Sequence, residues 1–384
     1  MAYQVTTTKS YGSRLSDSFK GIAAGFFMFI AGTIVLFWNE GNFVKTKKSI
    51  HEAQKAVVLV DDVSSVDPAL NGKLIHASAF ADTEDVLTDE MFGVSERAIA
   101  INRKVEYYQY VEKSKEEKRD KIGGGEETVT TYTYEKQWVK EPVNSSEFAD
   151  PSYQSSNSVL KNIEQKTEYA KNVTFGGYRL PPFMISSISG SVPAEAKLTP
   201  ADEMTHVNGN VVYYGESTST PKIGDVQVTL TKIMPADISI IGKVVSNTFE
   251  PFRASNGKTF SRVDMGTVSA DNMFADAHSE NSMITWLLRI LGILLVVFGL
   301  KSMFAILPTL FKVLPFLGNI VNAGIGLVCA VFGGAWSLLI ISLAWLFYRP
   351  LIGIPLLIAA IAGIWYLKKK ANEKAMQKSA EVNG

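Results

Sequence analysis

Four long apolar stretches stand out from an otherwise polar chain. The first occupies residues 19–38, and the other three crowd the C-terminal end at 283–304, 320–347 and 351–367. Each is close to the length needed to cross a hydrocarbon core of roughly 30 Å at 1.5 Å per residue. The pattern predicts four transmembrane helices. The first ends in Phe37-Trp38-Asn39-Glu40-Gly41, aromatics and then polar residues, with no small-x-small cleavage site, so it reads as a retained anchor rather than a signal peptide. Residues 305–319 are apolar but broken by Pro308 and Pro315 and marked by Lys312. They are too short and irregular to span and read as an interfacial connector.

Between the first and second spans the period changes. Phe43–Val60 keeps helical spacing, with Ile50, Ala53 and Val57 opposite a lysine-rich face. From Lys73 onward the pattern becomes that of strands. Lys73–Phe80 follows an Asn71-Gly72 turn, and Ala98–Ile101, Val105–Val111 and Thr128–Val139 are rich in β-branched and aromatic residues. Val105–Val111 and Thr128–Val139 are expected to form an antiparallel hairpin. The charged run Glu112–Lys121 and the glycines at 123–125 would be its flexible tip. Further strands are expected at Asn210–Tyr214, Asp225–Ile233 and Asp237–Val245. The predicted fold class is an α+β membrane protein in which residues 39–282 form one large β-rich extracytoplasmic domain.

Charge sets the orientation. Basic residues mark the tail at 368–384, the connector, and the lead at 1–18, which shows no periodic apolar pattern and reads as mostly disordered. Four spans put all three on one side, the cytosolic side by the positive-inside rule. Lys45, Lys47 and Lys48 count against this, but the tail is the denser cluster. The 38 basic and 38 acidic side chains balance, which gives no argument for nucleic acid binding. One cysteine, Cys329, excludes an internal disulfide and a Cys-based zinc site.

Catalytic and metal motifs are missing from the sequence. The histidines at 51, 76, 206 and 278 have no ligand spacing, the 123–125 glycines lack the Lys-Ser/Thr of a phosphate loop, and no G-x-S-x-G elbow occurs. Asp61-Asp62 and Asp82–Asp85 read as solvated turns rather than cation sites. No cofactor and no metal are expected. The membrane segments are more informative. Arg289 lies within a span, where a charge is costly unless it is paired or reaches the interface. Snorkelling to the interface is the plainer reading. The functional one is an interfacial ion pair with Glu40 at the matching depth of span one, with Arg349 as the alternative partner. Gly324, Gly326, Gly333, Gly334 and Ala335 would let helices approach closely, either inside the bundle or as a self-association face.

An ordered set of short matches resembles the LUMA family, also called the transmembrane protein 43 family. It runs through Asn39-Glu40-Gly41, Val105-Glu106 to Val111-Glu112, Thr131-Tyr132 to Trp138, Pro221-Lys222 to Asp225, Asn281-Ser282-Met283 to Arg289, and Trp345 to Leu351. The stretch from Ser145 to Thr220 matches poorly. The resemblance implies four spans with a large lumenal domain between the first two. It also implies self-association and, for animal members of the endoplasmic reticulum and inner nuclear membrane, scaffolding of envelope proteins such as emerin and lamins. Bacteria carry members too, and the expectation here is a bacterial one, in the cytoplasmic membrane with a periplasmic domain, or, for a eukaryotic chain, the endoplasmic reticulum and inner nuclear membrane with a lumenal domain.

The function expected is therefore a non-enzymatic membrane scaffold. Its partners would be membrane lipid, further copies of itself and other envelope proteins, with no nucleic acid. A transporter or channel component is the first alternative, weakened because no span carries a row of polar residues and only Asn319 and Asn322 come close. A membrane-anchored hydrolase is the second, weakened by the missing nucleophile–base motif.

Overall fold

A computed structural model describes residues 2–200, 202–355 and 358. The chain divides into two compact units. One comprises residues 1–8, 49–119 and 127–277, and the other Lys9–Lys48, Asp120–Glu126 and the chain from His278 onward.

The first unit is β-rich. The strands of its two large sheets, in chain order, are β1 (Tyr3–Lys9), β2 (Val58–Leu59), β3 (Leu74–Thr83), β4 (Ala100–Asp120), β5 (Glu126–Val139), β6 (Lys166–Tyr169), β7 (Val173–Phe175), β8 (Tyr178–Arg179), β9 (Ser191–Pro193), β10 (Thr205–Asn208), β11 (Val211–Tyr214), β12 (Val226–Ile233), β13 (Ala236–Val245), β14 (Thr248–Glu250) and β15 (Arg262–Met265). One sheet runs β1-β5-β4-β12-β11-β10, with β9 added on β12 and β6 on β4. The other runs β8-β7-β3-β13-β14, with β15 added on β13 and β2 on β3. The long pairings carry these sheets: Val226 to Ile233 against Tyr107 to Ala100, and Ala236 to Lys243 against Ala81 to Leu74. Alternation sets the register, because a one-residue slip would turn the core face of a strand to water. Along β12, Val226, Val228 and Leu230 are fully buried, and with Val105, Tyr107 and Phe92 they fill one core. Ile75, Ile238, Ile240, Phe175 and Phe249 fill the other.

Two expectations change here. The lead is ordered, since β1 begins at Tyr3 and joins a sheet, and a helix starts at Tyr11. The charged run is not a loop either. β4 is 21 residues long and continues through Lys113 to Asp120. Thr133 Oγ1 donates to the Lys113 carbonyl, and the Tyr108 and Trp138 rings lie 5.2 Å apart, so the hairpin is antiparallel along its length. Solvated like charges would discourage a strand locally, but alternating pairs such as Lys113 with Glu135 and Lys115 with Glu117 offset them.

The membrane unit is helical. α1 (Tyr11–Ala56), α2 (Ala270–Met303) and α4 (Pro315–Tyr348) are long, with the short α3 (Ile306–Phe311) between the last two. Among the described residues three helices are long and apolar enough to cross a membrane. The expected fourth span at 351–367 and the tail at 368–384 lie essentially outside the described residues. Phe27, Ile34, Trp286 and Leu287 are each more than half exposed, as a lipid-facing surface requires. Helix packing turns on glycines the sequence reading did not single out. A Cβ on Gly25 would stand 2.6 Å from the Gly299 carbonyl oxygen, one on Gly32 2.9 Å from that of Gly292, and one on Gly299 2.7 Å from the Phe29 nitrogen. Backbone faces backbone at both levels, two helical turns apart, so small residues let dispersion act between α1 and α2 at the closest range.

Gly25→Ala should therefore lower the melting temperature in detergent, by overpacking of about 1–3 kcal/mol. Gly12→Ala, with open space at its Cβ, serves as the control. Equal melting of the two variants would show that the helices are not in backbone contact at Gly25.

Candidate interfacial charge site

The site is built around Glu40, a carboxylate with no solvent exposure near the end of the apolar part of α1. A buried charge persists only when paired and hydrogen-bonded. Arg289 of α2 supplies a bidentate contact, with Nε donating to Oε1 at 2.6 Å and Nη2 to Oε2 at 2.9 Å. Trp345 of α4 donates its indole Nε1 to Oε2 at 2.9 Å. Arg349, just past α4, brings Nη2 to 3.7 Å from the same oxygen. One carboxylate on α1 thus receives groups from α2 and from the end of α4, and both arginines named from the sequence meet it.

The surroundings fit an interface. The Arg289 guanidinium lies 4.8 Å from the Trp286 ring centre, and that of Arg349 lies 4.4 Å from Phe43 and 5.5 Å from Trp345. Such cation–π contacts gain strength as water is removed. A Cβ on Gly41 would sit 2.6 Å from the Tyr348 ring, so only glycine lets the end of α4 close here. Neighbouring side chains tie backbone to backbone. Asn39 Nδ2 donates to the Thr285 carbonyl, Asn281 Nδ2 to that of Phe43, and Thr285 Oγ1 to that of Asn281. With one glutamate and two arginines, Glu40, Arg289 and Arg349 together carry a formal charge of one positive unit. Their chemistry is that of a clamp: no nucleophile or general base stands among them.

The glycines named from the sequence divide. Gly333 belongs to the bundle, since a Cβ there would meet Val297 at 2.8 Å. Gly324, Gly326 and Gly334 face open space, and Ala335 is exposed. The histidines stay apart: His76 bonds the Val268 carbonyl and His206 that of Gly215. The acidic turns are taken up locally. Asp82 binds Arg97, while the side chain and backbone of Asn172 and the backbone of Lys171 donate to Asp85 and hold its carboxyl below the usual carboxylate range. Among the described residues no group of three His, Cys, Asp or Glu side chains could hold a metal.

A second buried cluster was not foreseen. Arg14, 7% exposed, donates Nη1 to the Gly124 carbonyl at 2.9 Å and Nη2 to Asp120 at 2.8 Å, with Glu126 at 3.3 Å. Lys312 also reaches Asp120, and Gly123 N donates to the Val313 carbonyl. The hairpin tip, the start of α1 and the connector therefore meet in this structure. Arg14 and Glu40 are about 40 Å apart along α1, more than a hydrocarbon thickness. The exposed charges of Lys113–Arg119 cannot face lipid. No sequence signal linked a lone arginine in the lead to carboxylates a hundred residues away.

Apolar helices of this length and exposure beside a β-rich domain define an integral membrane protein. Comparison with known proteins then gives the family. The Transmembrane protein 43 family profile matches residues 107–350. Mouse Transmembrane protein 43 is 31% identical over 353 residues, covering 88% of this chain and 87% of its own. The human protein is 31% identical over 365 residues, covering 91% and 89%. The Drosophila melanogaster homolog is 26% identical over 361 residues, covering 90% and 93%. The chain belongs to the Transmembrane protein 43 family. No solved structure matches it.

Two outcomes are expected. Glu40→Ala and Arg289→Ala should each cost about 3–5 kcal/mol, as loss of one partner of a buried pair does, with the double variant little worse than either. Additive losses in detergent melts would mean that the pair contributes no coupling. Separately, cysteines at Ser13 and at Ile122, which is 89% exposed, should react with an impermeant thiol reagent from the same side of the membrane. Labelling from opposite sides would show that the Arg14 cluster does not form in the bilayer.

Proposed function

We propose that this protein is a non-enzymatic membrane scaffold that self-associates through α4 and organises envelope proteins through its β-rich domain. The observation that carries the reading is the composition of one face of α4. Asn319 and Asn322 are exposed on an otherwise apolar helix, and their amides have no hydrogen-bond partner among the described residues. Gly326 follows at helical spacing on that face, and Gly324 and Gly334 are likewise open to close approach. Amides in lipid gain most from a partner of the same kind, and small residues beside them let a second backbone draw near. A second copy of the same face supplies both. The charge clamp at Glu40 suits a support role, since it fixes helix ends and leaves no reactive group free.

The test is oligomeric mass in mild detergent or native nanodiscs, with cysteine crosslinking at position 326. The wild type should run as a dimer or larger, and Gly326→Leu with Asn322→Leu should shift it toward monomer while leaving the stability of the fold within about 1 kcal/mol of wild type, as surface substitutions do. A monomeric wild type would overturn the reading.

A further inference from the structure

We propose that the β-rich unit holds a binding cleft for a primary ammonium group on an aliphatic chain. The cleft is a half-open space of about 780 Å³, between the last turn of α1, the segment after β2 and the start of α2, over the face of β3. That volume lies within the range of small-molecule sites, roughly 300–1,000 Å³. It stands independently of the scaffold reading.

The hydrogen bonds around its floor fix the polarity. Ser239 Oγ, fully buried, has one proton to give, and the Gly266 carbonyl 2.8 Å away accepts it. The same oxygen accepts from Val268 N at 2.8 Å. In the 2.7 Å contact between Ser78 and Ser239, Ser78 must therefore be the donor. Its remaining capacity is lone pairs only. His76 faces the Val268 carbonyl through Nε2 at 2.8 Å, so Nε2 is the donor of that contact. Asp61 and Asp271 add two carboxylates to the lining. Every lining side chain whose remaining hydrogen-bond sense is fixed thus accepts. Gln54, Thr267 and Ser269 can turn either way, and no Lys or Arg lines the cleft among the described residues. The positive end of the α2 dipole, which would favour an anion, is already answered by Asp271 in its first turn. The walls are apolar, from Val57, Val60, Val268 and Phe274. A ligand must then donate several hydrogen bonds, carry positive charge and bury a short alkyl chain. An alkylammonium does all three; a carboxylate, a phosphate or a sugar does not.

The test is calorimetric titration of the purified full-length protein with cadaverine, against pentanediol as the uncharged isostere and N-acetyl-lysine amide as a stand-in for a protein-borne lysine. Cadaverine should bind at least roughly tenfold more tightly than the diol, as hydrogen bonds to a charged group imply. Asp61→Asn and Asp271→Asn, both at exposed positions, should each weaken it roughly tenfold. If the lysine amide matches cadaverine, the source is a polypeptide side chain; if it binds more weakly, the source is a free amine. Equal binding of cadaverine and diol, or unchanged binding by both Asn variants, would overturn the proposal. Ser78→Ala guards against a purely surface effect, because it removes a floor acceptor and no charge, and it too should weaken cadaverine.

Discussion

The carboxylate of Glu40 is the constraint on which the membrane unit depends. It has no contact with solvent, and it follows directly on the uncharged run from Gly21 to Asn39. Taking such a charge out of water costs several kcal/mol, and the cost is met only if every neighbour is placed to answer it. Arg289, Trp345 and Arg349 do so from two other chain segments. The interiors of α1 and α2 and the C-terminal end of α4 are thereby committed to one another. Elsewhere the apolar surfaces of these helices carry little positional information, because a lipid tail is as good a neighbour as a leucine.

Close backbone packing adds the rest. Gly25 with Gly299 and Gly32 with Gly292 bring α1 and α2 together over two levels, and Leu36, Val296, Ile340 and Ile341 fill the space beside them. The polar clamp specifies which helices meet and at what depth, while the glycines and aliphatic side chains supply contact area. At the other end of α1, Arg14 and the carboxylates of Asp120 and Glu126 repeat the device with the signs exchanged.

Much of this was legible in the chain. Long apolar runs give membrane helices because hydrocarbon thickness fixes their length, and the alternation in Asp225–Ile233 and Asp237–Val245 gives strands because one face must be buried. Glu40 and Arg289 could be named because a charge inside an apolar run needs a reason. What stayed hidden depends on contacts distant in sequence. β4 continues through Lys113–Asp120 with its charges paired along the strand and, at Lys113, across to Glu135, whereas a propensity reading of that run gives a loop. The helix-packing glycines at 25, 32, 292 and 299 look like ordinary members of apolar runs, whereas the more conspicuous cluster near 324–334 mostly faces outward. Pairing of Arg14 with a hairpin tip more than a hundred residues away leaves no local trace at all.

The most direct test of the clamp is hydrogen–deuterium exchange on Glu40→Gln, which keeps the shape and removes the charge. If one carboxylate holds three helices, protection should fall together in α1, α2 and α4, at residues 36–44, 281–293 and 337–348. Loss of protection confined to α1, or no loss anywhere, would contradict the account.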